Sequence, residues 1–193
     1  IKGVKVVTKT SDPTASEADA TVWYNSTAPG ALKYVIQGTA AWASGGGMNT
    51  ARSGTTGAGI QTAAFMAAGS TGPADVALHE QYDGSTWSEK ADINTARNET
   101  ANAGTTAAGL IFGGNAPNDD LTETWNGTSW AETSDLNTGR SYLGRAGTQT
   151  AALAIAGYNP GSSYITNTET FNGTSWTETG DLATATNTLM CGG

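Results

Sequence analysis

The chain has 193 residues, a formal net charge of −8, one His, one Cys and only 13% charged residues, enough for one sizeable core and too little for two ordinary domains. Its nine basic residues are scattered singly, so nothing offsets the repulsion between an acidic chain and a phosphate backbone, and nucleic acid is not expected as a partner. No run approaches the roughly 20 consecutive apolar residues of a membrane span, and residues 1–10 lack the charged start and apolar run of a signal peptide; the chain reads as soluble, without membrane insertion, and the missing initiator Met points to a processed product or an internal fragment.

Thr, Ala, Gly, Ser and Asn dominate. β-Branched Thr suits a pleat, Gly and Asn suit turns, and no window carries the spacing of an amphipathic helix, so an all-β protein is expected. Six Trp and six Tyr at regular intervals argue for a packed core over disorder. The first strand-like stretches are Val4–Thr8, Thr21–Asn25 and Leu32–Gln37.

Beyond them the sequence repeats itself. Trp42, Trp87, Trp130 and Trp176 each stand six positions before an apolar residue, Met48, Ile93, Leu136 or Leu182, and eleven positions after those come Gly59, Gly104, Gly147 and Gly193. The first three apolar residues each open a short motif that ends on Arg52, Arg97 or Arg140; in the fourth copy Thr186 takes that place. A second strand-like run follows at 61–68, 106–113 and 149–156, and its small residues imply close approach between backbones. Glu80, Glu123 and Glu169 then open a Glu-x-aromatic segment that leads through Asp83-Gly84, Asn126-Gly127 and Asn172-Gly173, read as hairpin turns, to the next Trp. Spacings of 45, 43 and 46 residues, each holding about four short strands, fit the blade of a β-propeller, which cannot bury both its faces alone.

The order of these parts, with a strand ending in Gly113-Gly114, resembles the kelch repeat across residues 42–193; Ala68 and Ala156 interrupt two of the diglycines. The resemblance implies a kelch-like β-propeller of four-stranded blades of 43–46 residues, although kelch propellers usually have more blades than this chain supplies. Residues 187–193 are placed to give the first strand of a fourth blade completed by residues 1–43, which makes residues 1–43 and 44–193 one continuous domain. Closure by another copy, or continuation into a longer repeat protein, stays open. Residues 21–34, followed by 38–42, resemble a short strand-turn-strand element of bacteriophage tail-fibre and other virion proteins, which implies a virion structural protein.

The inventory for catalysis is thin. A Ser triad or a Cys–His pair would have to use His79, which reads as a solvated or edge-strand residue. Cys191 aligns with Gly57, Asn102 and Arg145, positions that share no chemistry, and reads as a buried small side chain. Zinc needs about four N or S ligands, so no metal and no cofactor is expected. Glu80, Glu123 and Glu169 recur in every repeat, and blade symmetry spreads them around a ring instead of converging two on one bond as a glycosidase needs. With Trp42, Trp87, Trp130 and Trp176 they read as structural, and Arg52, Arg97 and Arg140 as ties between blades.

All variation in repeat length lies between Gly69 and Glu80, Gly114 and Glu123, and Gly157 and Glu169. These are expected to be free loops, whose Asn115, Asn118, Asp119, Asp120, Tyr158, Asn159 and Tyr164 suit polar or saccharide contacts. The function expected is that of a noncatalytic structural or adhesive protein of a virion, a tail fibre, tail appendage or capsid-surface protein. It would present loops to host-surface glycans or to other virion subunits as a homo-oligomer or multicopy assembly. The alternatives are a secreted or cell-surface bacterial carbohydrate-binding or adhesion module and a fragment of a polysaccharide-degrading enzyme.

Overall fold

A computed structural model of the chain describes residues 6–9, 22–25, 31–34, 45–115, 117–161 and 163–186. Contacts divide the chain into two compact units, Ile1–Ser44 and Gly45–Gly193. In the first, β1 (Val6–Lys9), β2 (Val22–Asn25) and β3 (Ala31–Tyr34) form a sheet in that order, on the stretches the sequence marks. β1 runs parallel to β2, with Val6 opposite Val22, whereas β2 and β3 are antiparallel. A closing blade requires antiparallel neighbours throughout, and this sheet does not have that pairing. Trp42 and residues 187–193, including Cys191 and Gly193, lie outside the described residues.

The second unit holds three four-stranded antiparallel sheets, each a simple meander, and no helix among the described residues. The first sheet is β4 (Thr56–Ile60), β5 (Ala63–Ala67), β6 (His79–Tyr82) and β7 (Trp87–Lys90). The second is β8 (Ala101–Gly104), β9 (Gly109–Phe112), β10 (Thr122–Trp125) and β11 (Trp130–Glu132). The third is β12 (Gly144–Thr148), β13 (Ala151–Asn159), β14 (Ser163–Phe171) and β15 (Trp176–Glu178).

Two kinds of turn fix the register. Between the third and fourth strands, Asp83 Oδ1 accepts the Ser85 and Thr86 N–H groups at 2.8 Å, and Asn126 and Asn172 do the same at 2.9 Å. The turn opposes each repeat Trp to an aromatic residue: Tyr82 faces Trp87, Trp125 faces Trp130 and Phe171 faces Trp176. Between the first and second strands the repeated Gly is obligatory. Gly59, Gly104 and Gly147 have φ of 121°, 94° and 105°, and a Cβ there would lie 2.3, 2.2 and 2.1 Å from the carbonyl oxygens of Ala63, Ala108 and Ala151.

The sheets stack face to face in chain order. Phe65 and Ala67 of the first sheet pack with Ile111, Trp125 and Trp130 of the second around Ile93. Leu110 and Phe112 of the second pack with Ala152, Ala154, Phe171 and Trp176 of the third around Leu136 and Leu143. Alanines on β5, β8 and β13 let the backbones come close, as expected of small residues inside strands.

Connectors join consecutive sheets. Each begins on the sheet it leaves: Ile93, Leu136 and Leu182 donate their N–H groups to Ala77, Asp120 and Thr166. Each then hooks onto the sheet it enters. Asn94 N–H and Arg97 Nη1 donate to the two oxygens of Glu123 at 2.7 and 2.6 Å, and Asn94 Nδ2 reaches the Trp130 carbonyl. Asn49 and Arg52 repeat this on Glu80, and Asn137 and Arg140 on Glu169. The three ion pairs are buried. The Arg side chain thus bonds within the sheet that its connector enters, and the connector as a whole makes the tie between sheets. The connector leaving the third sheet keeps the same path, with Gly157 N–H on the Thr186 carbonyl as Gly69 is on Arg97 and Gly114 on Arg140.

Two predictions test this frame by chemical denaturation. Gly104→Ala adds a backbone clash to left-handed strain and lowers stability by about 3 kcal/mol or more, whereas Gly72→Ala, where φ is 105° but nothing lies within 4 Å of the new Cβ, costs about 1 kcal/mol. Arg97→Met strands the Glu123 carboxylate and costs about 3–5 kcal/mol, and adding Glu123→Leu recovers a large part of that loss.

Candidate functional site

The connectors and the second-to-third strand segments meet on one side of the sheets, where all seven loop residues singled out in the sequence lie. Most of them turn out to be ties. Asn115 accepts the Asn98 N–H at 2.9 Å and donates Nδ2 to Asp75 at 2.7 Å, while Asn98 Nδ2 donates to the other Asp75 oxygen at 2.6 Å. The Asn115 carbonyl accepts the Asn118 N–H, Asp119 and Asp120 carbonyls accept the Arg140 and Leu136 N–H groups, and the Asp119 carboxylate fills the space above Gly139. Asn159 donates Nδ2 to the Gly139 carbonyl at 2.6 Å and accepts the Gly161 N–H.

The third segment is not a free loop. β13 continues past a bulge between Ile155 and Gly157, and β14 starts at Ser163, so Tyr158 lies opposite Tyr164 on an extended hairpin. Their rings meet edge to face, 5.8 Å apart. Ser141 and Tyr158 exchange backbone hydrogen bonds of 2.9 and 2.8 Å, which brings Tyr142 to the base of this hairpin. Among the described residues four large hydrophobic side chains are exposed: Tyr142 at 43%, Tyr158 at 37%, Tyr164 at 53% and Ile60 at 68%. Three of the four are therefore tyrosines belonging to one region.

Tyr142 was not legible as a site residue. It occupies the repeat position of Gly54 and Glu99, and all three are left-handed, with φ of 52°, 63° and 58°. Glu99 N–H donates to the Gly54 carbonyl and Tyr142 N–H to that of Glu99, at 2.7 and 3.2 Å. The Tyr142 hydroxyl donates to the Glu99 carboxylate, and that bond, aided by partial burial and the carboxylate charge, pushes the phenol up to about 12. It stays protonated across the physiological range.

A second feature lies where the first strands of the three sheets come together. β4, β8 and β12 line a cavity of about 410 Å³, with Gly57, Asn102 and Arg145 at equivalent positions on its wall. Asn102 is 2% exposed; its Nδ2 donates to the Thr56 carbonyl at 2.5 Å, and its Oδ1 has no hydrogen-bond partner. Arg145 reaches across to the Gly57 carbonyl at 3.4 Å. The sequence signal existed, in that these positions share no chemistry within an otherwise faithful repeat.

Among the described residues, the repeated Arg and Glu side chains are paired and buried within the frame. Trp130 and Trp176 are buried, and each indole N–H crosses to the preceding sheet, to His79 Nδ1 at 3.1 Å and to Thr122 Oγ1 at 3.0 Å. Trp87, on the first sheet, is half-buried. His79 is thus neither solvated nor on an edge strand: β6 is an inner strand, and the imidazole is fully buried, edge to face with Phe65, Trp125 and Trp130. Its Nδ1 also lies 3.1 Å from the Ala91 carbonyl, so one neutral tautomer accepts from Trp130 and the other donates to Ala91. Burial pulls the His79 pKa from 6.5 to about 4, against the Ala91 carbonyl and the charge of Asp92. Burial works to raise Glu80, but the Asn49 N–H and Arg52 outweigh it and hold that carboxyl below its ordinary value.

No protein-family model matches the chain, and no curated protein matches it. No helix among the described residues is long and apolar enough to cross a membrane.

The folded state disfavours protonated His79, so its contribution to stability is complete above pH 6.5 and is lost as pH falls toward 4, by about 3 kcal/mol at most. Glu80 acts in the same direction only below its ordinary value of 4.5. Urea denaturation as a function of pH should show a decline between pH 6.5 and 4.5 that disappears in His79→Thr, the residue type found at Thr122 and Thr168, while the decline below 4.5 remains.

Proposed function

We propose that the chain is a kelch-like β-propeller module that serves as a noncatalytic attachment or structural protein of a virion, displaying one face toward host-surface glycans. The observation that carries this reading is the extended β13–β14 hairpin, which holds the exposed Tyr158 and Tyr164 beside Tyr142. A tyrosine offers a flat apolar ring with a polar tip at low conformational cost, a combination suited to sugar faces flanked by hydroxyls. Glu99 adds a carboxylate acceptor at the same place.

The single imidazole and the repeated carboxylates support a noncatalytic role. The His79 ring is committed to the aromatic core. Glu80, Glu123 and Glu169 are each neutralised by an Arg and capped by a connector N–H. A rigid frame with weak individual contacts suits a particle carrying many copies, where effective concentration multiplies attachment. The kelch-like order of the repeat and the virion-like strand-turn-strand element at residues 21–34 favour this setting, and β2 and β3 form the antiparallel pair such an element needs.

The test is binding of the full chain to host-cell envelopes and to an array of their glycans. Tyr158→Ala with Tyr164→Ala should weaken binding by about tenfold or more, the loss of two aromatic contacts of about 0.5–1.5 kcal/mol each, without shifting the melting temperature by more than a few degrees. Equal binding by wild type and double variant, or labelling that places the chain nowhere on an intact particle, overturns the proposal.

A further inference from the structure

Asn126 and Asn172 are the two places in the chain where Asn directly precedes Gly. Both are exposed, in the turns that join the third and fourth strands. The contacts that shape these turns also surround the side-chain amide: Oδ1 of Asn126 accepts the Thr128 and Ser129 N–H groups, and Oδ1 of Asn172 those of Thr174 and Ser175, all at 2.9 Å. Two backbone N–H groups on one carbonyl oxygen are the arrangement that stabilises an oxyanion when a nucleophile attacks the carbon. The amide nitrogen, Nδ2, lies 3.3 Å from Ser129 Oγ in one turn and 3.4 Å from Ser175 Oγ in the other. A nucleophile is adjacent. The nitrogen of Gly127 or Gly173 follows its Asn in the chain, glycine brings no Cβ to crowd the approach, and among the described residues no acceptor takes either Gly N–H.

We infer that Asn126 and Asn172 are sites of self-deamidation, at which the folded turn promotes conversion of the amide to a carboxylate. The Gly nitrogen bonds to the Asn Cγ, the Cγ–Nδ2 bond breaks, and ammonia leaves with the proton of the Gly N–H, which closes a succinimide ring. Water then opens the ring. Cleavage at Cγ gives Asp on an unchanged main chain, whereas cleavage at the main-chain carbonyl carbon gives isoaspartate, whose backbone runs through the side chain and is longer by a carbon. Water is the only co-reactant, and nothing is oxidised or reduced.

The first sheet already carries the product. Asp83 occupies the same turn and accepts the Ser85 and Thr86 N–H groups at 2.8 Å, and the Thr86 and Ser85 N–H groups hold its carboxyl below its ordinary value. An Asp formed at Asn126 or Asn172 therefore fits the turn, and each conversion adds a negative charge to a net charge of −8. Isoaspartate does not fit. Its extra carbon falls between Trp125 and Trp130, or between Phe171 and Trp176, which face each other across the turn, and it loosens an indole that ties two sheets together.

The test is incubation of the full chain in mildly alkaline buffer, folded and in urea, with Asp and isoaspartate at every Asn position quantified over time by peptide mass spectrometry. In the folded chain Asn126 and Asn172 should convert severalfold faster than any other Asn, and no more slowly than in urea, where the N–H contacts to Oδ1 are lost. Gly127→Ala should slow Asn126 severalfold while Asn172, in the same molecule, keeps its wild-type rate. Asn126→Asp with Asn172→Asp should melt within a few degrees of the wild type. The wild-type comparison needs no variant and decides the matter even if Gly127→Ala unfolds. Slower conversion in the folded chain than in urea, earlier conversion at another Asn, an unchanged Asn126 rate in Gly127→Ala, or a large loss of melting temperature in the double Asp variant would each overturn the inference.

Discussion

Each of the three connectors that enter a described sheet of the second unit is held by a buried guanidinium on a buried carboxylate, and the rest of the arrangement follows from that contact. An ion pair taken out of water gains little net stability over a well-packed apolar pair, but a mispaired one is very costly. Its value here is registry. Glu80, Glu123 and Glu169 each have two oxygens, and the pair is complete only when the connector N–H and the Arg three residues later both arrive. Burial draws the Arg140 guanidinium below its usual pKa, and Glu169 opposes that pull. A connector shifted by one residue would leave a charge unpaired in the core, so the contact specifies where each sheet begins.

Once the connector is fixed, the tryptophans do the stacking. Trp130 and Trp176 each cover the aromatic residue across the turn and send an indole N–H to the preceding sheet. The acceptor can change chemistry, His79 in one case and Thr122 in the other, because the indole needs only a lone pair at that point. This explains why a single histidine in the chain can be a packing residue. Its imidazole substitutes for a hydroxyl within a repeat, at the cost of a titratable group in the core.

Much of this frame was readable from residue order. The Asp-Gly and Asn-Gly turns, the Gly at the end of the first strand and the Glu-x-aromatic segment occur where their conformations require them. The apparent breaks in the diglycine motif illustrate what order alone conceals. Ala68 and Ala156 adopt φ of 63° and 51°, close to the 68° of Gly113, and both are fully buried. Their backbones follow the path of the diglycine, with a left-handed alanine costing about 1–2 kcal/mol and a buried methyl offsetting part of it. At Gly113 no methyl fits, because it would meet the Arg140 carbonyl at 2.7 Å. The candidate site was less readable. Length variation pointed to the side of the sheets where the tyrosine hairpin lies, but Asn115, Asp119 and Asn159 are consumed by ties to neighbouring segments, and pairing across β13 and β14 is a long-range property that a loop-length count does not contain.

The positions that break the symmetry carry the information that the repeated ones cannot. Gly54, Glu99 and Tyr142 share one left-handed backbone conformation, and Gly54 meets its demand without strain. Glu99 and Tyr142 keep side chains there at about 1–2 kcal/mol each, although glycine would serve the fold. They return little of that cost through packing, since Tyr142 is exposed and its hydroxyl is spent on Glu99. Gly57, Asn102 and Arg145 make the same contrast on the cavity wall, where a glycine again suffices for the sheet. Where a backbone position tolerates glycine and the chain instead retains a left-handed tyrosine or a buried amide with an unbonded oxygen, the backbone conformation alone does not account for the side chain.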